Sequence, residues 1–452
     1  VGDERRRLLG VALILAGLLI LALSWLRGLS SFPPGPTGAP APASAPASGS
    51  GAPSPPVSVS REPLVPTRTP TPRMGSAVPM VDDSMSPSPT PSREASQGGS
   101  PAPRTRASAR TPLPAPPSPV PSPAPEQAGS PSPSPAASSL RYRGRFRWGV
   151  GVVHGPISRY PIGPLRLGWY LDWRAQADPP QPEGIEYVPM VRVRGGHLWP
   201  EAAVLAQIAR ARPGALWLIG NEPDVKWQDN VDPTTYARLY HEAYVIIKEA
   251  DPTAWVGIGG VSQPTPLRMR YLDAVLAAYR EQFGAAMPVD VWNVHNFILR
   301  EERGSWGVDI PPGLPDRWGR LYTVDDSGNL AVFRQQIWEF RRWMAGRGYR
   351  GWPLIVSEYG IPMPEDYGFP PERVIGFLRG TFEFFLTAAD PVLGDPTDGY
   401  RLVQRWCWYS LDDGQDYPTG SLFDPQTGRL TLIGEGWRRM IEDLILRSEE
   451  GR

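Results

Sequence analysis

From about Leu140 onward the chain repeats one pattern. A short apolar run is followed by a polar turn and then by apolar residues at helical spacing. Strands are expected at 146–153, 165–173, 187–193, 215–220, 254–261, 289–297, 353–358 and 405–409. Helices are expected at 200–211, 234–250, 267–283, 332–346, 371–388 and 436–446. The clearest helix is 234–250. Asp232 suits its N-cap and Pro233 its first position, and Tyr236, Leu239, Tyr240, Tyr244 and Ile247 share one side. No regular helix fits between the first two strands. Strands that alternate with helices form a parallel sheet, because the return crossing needs a connection of helix length. Eight such strands close into a barrel. An open doubly wound sheet is the alternative. It more often carries a Gly-rich phosphate turn after its first strand, and Val150-Gly151-Val152-Val153-His154-Gly155 is not one. The fold class expected is therefore α/β, a (β/α)8 TIM barrel over residues 140–452.

The part before it is different material. Most of the 57 prolines crowd into the first third of the chain. Asp3-Glu4-Arg5-Arg6-Arg7 precedes an apolar run from Leu8 to Leu23, extended by Trp25 and Leu26. That run is long enough to cross a bilayer, and the arginines before it favour a cytoplasmic N-terminus. The reading is a basic stub at 1–7, a transmembrane signal anchor at 8–26 and a disordered Pro/Ser/Ala/Thr-rich linker at 27–139. Such a linker cannot bury enough apolar surface to offset its ordering entropy. A cleaved signal peptide ending near Ala22-Leu23-Ser24 is the competing reading. Both export the rest of the chain. The expected location is the cell membrane, single-pass with an extracellular catalytic domain, or secretion if the signal is cleaved. Lys plus Arg equals Asp plus Glu at 46 each. No basic stripe marks a nucleic-acid surface, so no nucleic-acid partner is expected. The single cysteine, Cys407, excludes an intramolecular disulfide and a Cys-based zinc site. A monomer is expected.

Two strand ends carry chemistry. Leu216-Trp217-Leu218-Ile219 turns abruptly polar at Asn221-Glu222-Pro223-Asp224, at the end of the fourth strand. Leu354-Ile355-Val356-Ser357-Glu358-Tyr359-Gly360 has the same grammar at the seventh. Catalytic groups of such barrels sit at the C-terminal ends of strands. Glu222 and Glu358 would then face each other across the mouth. Paired carboxylates suit glycoside hydrolysis, where one stays protonated for the leaving oxygen and the other attacks or activates water. Each motif alone also reads as an ordinary strand-end turn, with Asp224 capping a short helix.

These motifs resemble the glycoside hydrolases of clan A, retaining enzymes on (β/α)8 barrels. The closest likeness is to glycoside hydrolase family 128, endo-β-1,3-glucanases. It rests on Gly168-Trp169-Tyr170-Leu171-Asp172-Trp173, Tyr187-Val188-Pro189-Met190, Gly220-Asn221-Glu222-Pro223-Asp224 and Val294-His295-Asn296-Phe297. The resemblance implies that Glu222 is the acid/base, that Glu358 is the nucleophile and that Asn221 bonds a sugar hydroxyl. It implies a β-linked polysaccharide, a β-glucan first, and neither metal nor organic cofactor. It also places a tryptophan at the end of the eighth strand beneath the sugar, here Trp408 with Trp406 deeper.

Other candidates are weaker. His295 is expected near the nucleophile or substrate. His154 and His197 line the cleft or satisfy loop carbonyls, and His241 lies in a helix. Tyr359 orients a carboxylate or simply packs. Trp173 and Trp306 are candidates for distal sugar sites. Two other functions stay open: a non-catalytic carbohydrate-binding or cell-surface module, and a metal-dependent hydrolase using His154, His197 and His295.

Overall fold

The computed structural model describes residues 142–414 and 418–450. The stub, anchor and linker read from the sequence lie outside them. Among the described residues no helix is long and apolar enough to cross a membrane.

The strands are β1 (Trp148–Gly151), β2 (Trp169–Leu171), β3 (Glu186–Tyr187), β4 (Met190–Val191), β5 (Leu216–Asn221), β6 (Trp255–Gly260), β7 (Trp292–His295), β8 (Leu354–Tyr359) and β9 (Arg405–Trp408). The helices are α1 (Ala202–Ala211), α2 (Pro233–Ala250), α3 (Pro266–Phe283), α4 (Leu330–Gly346), α5 (Pro371–Thr387) and α6 (Leu432–Glu450). Every strand pairing is parallel. Six strands join in the order β3-β2-β1-β9-β8-β7, and three in the order β4-β5-β6. The chain itself connects the two sheets at one junction, from β3 to β4. At the other, Val291 bridges to Gly257 and His295 N–H donates to the Val261 carbonyl at 2.9 Å. The result is a closed, TIM-barrel-like arrangement.

One detail corrects the expected pattern. The third strand is broken in two. Val188 N–H still bonds the Tyr170 carbonyl, but Pro189 has no N–H to continue that ladder, and its carbonyl turns to Leu218 N–H instead. The six helices follow the last six strands, as the sequence pattern placed them. The first two connections hold short 3-10 turns at Ile157–Arg159, Gly163–Leu165 and Pro182–Gly184.

Alternation along the strands makes two cores. Trp169, Leu171, Met190, Leu218, Ile355 and Cys407 converge from around the sheet and fill the barrel axis. Their neighbours Tyr170, Trp217, Ile219, Val356, Trp406 and Trp408 point the other way, into the layer under the helices. The α2 helix begins as expected, with Asp232 accepting from Thr234 and Thr235 N–H. It buries Tyr236, Leu239, Tyr240, Ala243 and Ile247, leaving Tyr244 only half-buried.

Tyr236 ties that helix to two strands. Its hydroxyl donates to the Ile219 carbonyl at 2.7 Å and accepts from Gly259 N–H at 2.8 Å. Tyr236→Phe removes both hydrogen bonds from the interior. It is expected to lower the unfolding free energy by about 2 kcal/mol, measured by urea denaturation with an unchanged m-value.

Candidate active site

Glu222 stands just past β5 in an unusual backbone state. Its φ is 41°, a left-handed value that side chains larger than Asn seldom adopt. The surrounding turn enforces it. Glu222 N–H donates to the Gly260 carbonyl at 3.0 Å, and its own carbonyl accepts from Val225 N–H at 3.0 Å. One residue earlier, Asn221 N–H donates to Asp229 Oδ2 at 2.8 Å. Backbone strain of this kind gathers at functional sites.

Glu358 reaches the barrel mouth through an irregularity. Simple alternation from inward Ile355 would send Ser357 and Tyr359 inward and Glu358 outward. The pairing of β8 with β9 shifts between Val356 and Tyr359, and that of β7 with β8 shifts between Val294 and His295. A bulge resets the phase of a strand. Tyr359 therefore joins Val356 on the outer side, packed on Phe333, Phe385 and Trp408. Glu358 turns into the mouth.

There it meets His295 and Trp173. His295 is fully buried, and its Nδ1 lies 3.0 Å from Glu222 Oε1. Its Nε2 lies 3.4 Å from Glu358 Oε1. Trp173 Nε1–H donates to the same Oε1 at 2.6 Å. Flat glycines make room for both rings. A Cβ at Gly151 would come within 2.8 Å of the Trp173 indole, and one at Gly260 within 2.7 Å of His295 Nε2. One carboxylate oxygen from each glutamate and one His295 nitrogen lie within 4.8 Å of one another.

Burial dominates the electrostatics. It pushes the Glu358 carboxyl up to about 7, with the nearby Glu222 charge adding to the rise. The positive His295 and Arg192 and the Trp173 hydrogen bond oppose it. Burial alone would lower the His295 pKa, but Glu358 and Glu222 outweigh it and raise the imidazole above its ordinary value. The three groups form one cluster whose charges act on one another.

The other expected residues are placed as follows. Asn221 is buried beside Glu222, its amide donating to Gln228 Oε1 at 3.3 Å. Trp408 and Trp406 are not at the mouth. Both are fully buried in the outer core, Trp408 bonded to the Gly420 carbonyl at 2.7 Å and Trp406 stacked on Phe385. No indole surface is left there for a sugar. Tyr359 is likewise a core residue. The aromatic group beside the site is Tyr409, whose ring meets Trp173 edge-on at 5.8 Å and Phe297 at 6.2 Å. Cys407 points inward, so the parity of β9 carries Tyr409, not Trp408, towards the mouth. Trp306 packs half-buried against the outer core. The three-histidine metal set is not brought together at this site. His154 Nε2 sits 4.0 Å from Asp413, and His197 is exposed. His241 bonds Tyr279 and stacks on Phe283. Among the described residues, the group with metal-holding spacing is Glu222, His295 and Glu358.

Sequence reasoning missed Arg268. It lies in α3, fully buried, at a position that helical spacing alone marks as packing. Its Nε donates to Asp224 Oδ2 at 2.6 Å and its Nη1 to Glu301 Oε1 at 2.5 Å. Its Nη2 donates to the carbonyls of Val308 and Asp309. Asp224 also accepts from the Ser262 amide and hydroxyl. Burial raises the Asp224 carboxyl despite the Arg268 charge beside it. One guanidinium thus joins the turn after Glu222 to the long segment at 299–330.

With this geometry in place, three comparisons bear on the chain. Residues 158–305 match the family model described as glycosyl hydrolase catalytic core. The chain is similar to the clan A glycoside hydrolases. That match spans Glu222 and His295 and ends before Glu358. No curated protein matches the sequence. Among solved structures, a family 128 subgroup II endo-β-1,3-glucanase from Pseudomonas viridiflava shares 18% identity at a TM-score of 0.45, covering 65% of this chain and 96% of that one. A subgroup III curdlan-specific exo-β-1,3-glucanase from Blastomyces gilchristii, in complex with glucose, shares 19% at 0.45, covering 65% and 98%. A subgroup I endo-β-1,3-glucanase mutant from Amycolatopsis mediterranei, in complex with laminarihexaose, shares 18% at 0.43, covering 66% and 99%. At these levels the likeness fixes no residue-by-residue correspondence.

The raised Glu358 carboxyl has a consequence for stability. The folded protein holds that proton up to about pH 7, whereas an unfolded glutamate releases it near its ordinary value of 4.5. Burying the group therefore destabilises the fold increasingly as pH rises between those values. Glu358→Gln is expected to melt several degrees higher than the parent at pH 8, with the gap closing towards pH 4.5. Differential scanning calorimetry across that range checks it.

Proposed function

We propose that the chain is a retaining glycoside hydrolase acting on a β-linked polysaccharide, with a β-glucan as its substrate class. The observation that carries the reading is the Glu222–His295–Glu358 cluster, whose carboxylate oxygens approach within 4.8 Å at a barrel mouth. Retaining enzymes hold their carboxyl groups about 5–5.5 Å apart, and inverting ones leave room for a water between them. The retaining choice follows the family resemblance, and the shared His295 between the two carboxylates is compatible with it. The choice of β-1,3-glucans as the first polymers to test comes from the solved neighbours, which act on them.

In this mechanism ionised Glu358 attacks the anomeric carbon as protonated Glu222 gives its proton to the leaving oxygen. The glycosidic bond breaks and a glycosyl ester forms on Glu358. Glu222, now a carboxylate, takes a proton from water, and the water oxygen displaces Glu358. The assignment of the two roles follows the family resemblance. His295 acts on both carboxylates. Its positive charge favours the ionised form of Glu358, and its Nδ1 holds Glu222 in place. Trp173 fixes Glu358 Oε1 with its indole N–H. No step requires a metal. Export and membrane tethering belong to the same proposal and rest on the arginines and apolar run of residues 5–26.

The experiment is reducing-sugar release from β-1,3-, β-1,4- and mixed-linkage glucans, xylan and mannan. Glu222→Ala and Glu358→Ala are each expected to lower kcat by about a thousandfold or more. Release that survives in both variants would overturn the mechanism. Glycan binding without release from any polymer would favour a carbohydrate-binding module. The pH dependence follows from Glu358, which must be ionised to attack and carries a pKa of about 7. The value of kcat/KM is expected to fall as pH drops below about 7, and Glu358→Asp is expected to shift that limb.

A further inference from the structure

We infer that Trp199 and Trp227 form a second sugar-binding platform, outside the carboxylate cleft, for distal units of the same polysaccharide. This rests on the hydrolase reading above and extends it to chain length. Both tryptophans follow strand C-terminal ends, Trp199 after β4 and Trp227 after β5. That places them on the side of the barrel that carries Glu222. Trp199 is 58% exposed and Trp227 50%. Water disfavours bare indole surface, and both side chains stand outside the core that takes the buried tryptophans.

Their settings are held. Trp199 is locked in an antiparallel bridge to Arg192, with both backbone hydrogen bonds at 2.9 Å. The Arg192 guanidinium donates to Asp229 Oδ1 at 2.7 Å and to Gln228 Oε1 at 3.2 Å, the two residues that follow Trp227. Gln228 in turn accepts from the Asn221 amide at 3.3 Å, next to Glu222. The Lys226 ammonium lies 4.4 Å from the centre of the Trp227 ring. A continuous chain of contacts thus runs from Trp199 through Arg192 and Gln228 to Asn221.

The chemistry points to a sugar. A pyranose presents a flat face of C–H groups that packs on an indole, while its hydroxyls seek donors and acceptors at the edge. Exposed indoles with the Arg192–Gln228 pair beside them and Lys226 over the Trp227 ring supply both. A buried protein interface would surround its aromatic anchors with apolar neighbours and few charges. Continuity with Asn221 selects the strand already entering the cleft as the occupant.

The test compares wild type, Trp199→Ala, Trp227→Ala and the double variant on β-gluco-oligosaccharides of two to six units, in the linkage the wild type cleaves best. Loss of about tenfold or more in kcat/KM on six units, with less than about twofold change on the shortest cleaved substrate, is the expected result. Trp→Tyr variants, which keep an aromatic face, are expected to recover most of it. Equal loss at every length, or no loss at any, overturns the platform and leaves the hydrolase reading standing. If the wild type cleaves none of them, calorimetric titration with the six-unit laminari-oligosaccharide decides. Binding abolished in the double variant then supports the platform and sinks the hydrolase reading. Binding unchanged in the double variant, or no binding to wild type, overturns the platform.

Discussion

Burial of two carboxylates at one dry barrel mouth is the constraint around which the site is arranged. Two such charges repel, and each loses the water that would stabilise it. A single imidazole between them answers both problems, with one nitrogen beside each glutamate. That solution needs a fully buried ring at the end of β7, and such a ring fits only if the neighbouring strand is flat. Gly260 supplies the flatness. Gly151 does the same under Trp173, whose indole reaches Glu358 from the opposite side of the mouth. The glycines near these strand ends are therefore part of the chemistry, although they touch no substrate.

A second buried charge secures the site from outside. Arg268 bonds to Asp224, Glu301 and two loop carbonyls without any exposure to water. A buried ion pair contributes little net stability, but removing one partner strands the others and costs several kcal/mol. Its value here is positional. Asp224 lies two residues past Glu222, and Glu301 opens the 299–330 segment, where it also accepts from Thr265 and Arg320. The turn that carries Glu222 and that long segment cannot shift independently.

Much of this was legible in the sequence. Alternation of strand and helix patterns gave the barrel, and the polar exits after Ile219 and Ser357 gave the two glutamates. His295 was also readable, as a group at a strand end near the nucleophile, whereas Trp173, read for a distal sugar site, stands on Glu358 itself. Side-chain direction was not. Spacing put Trp406 and Trp408 on one face correctly but could not say which face was inside. The inward residue of that strand is Cys407, so the aromatic at the mouth is Tyr409. Tyr359 was left open between orienting a carboxylate and packing, since the bulge before it is invisible to strict alternation, and the structure packs it. The break at Pro189 could have been read from the missing N–H. Arg268 had no local signal, because its partners lie 33 and 44 positions away in the chain.

The split of the barrel into two sheets sets where the two glutamates stand. Glu222 follows β5 in the three-stranded sheet, and Glu358 belongs to β8 in the six-stranded one. The gap between them therefore spans a seam, not a continuous ladder. At one edge the seam is the continuous chain at Val188-Pro189, which bonds Tyr170 on one side and Leu218 on the other. At the other it is a bridge and a few single hydrogen bonds near Gly257 and His295. The contact between His295 and Glu222 is a stitch across that seam. Stereochemical outcome in this class of reaction depends on carboxylate spacing. In this barrel that spacing is fixed across the junction of two sheets, by backbone bonds and residues that never meet a sugar.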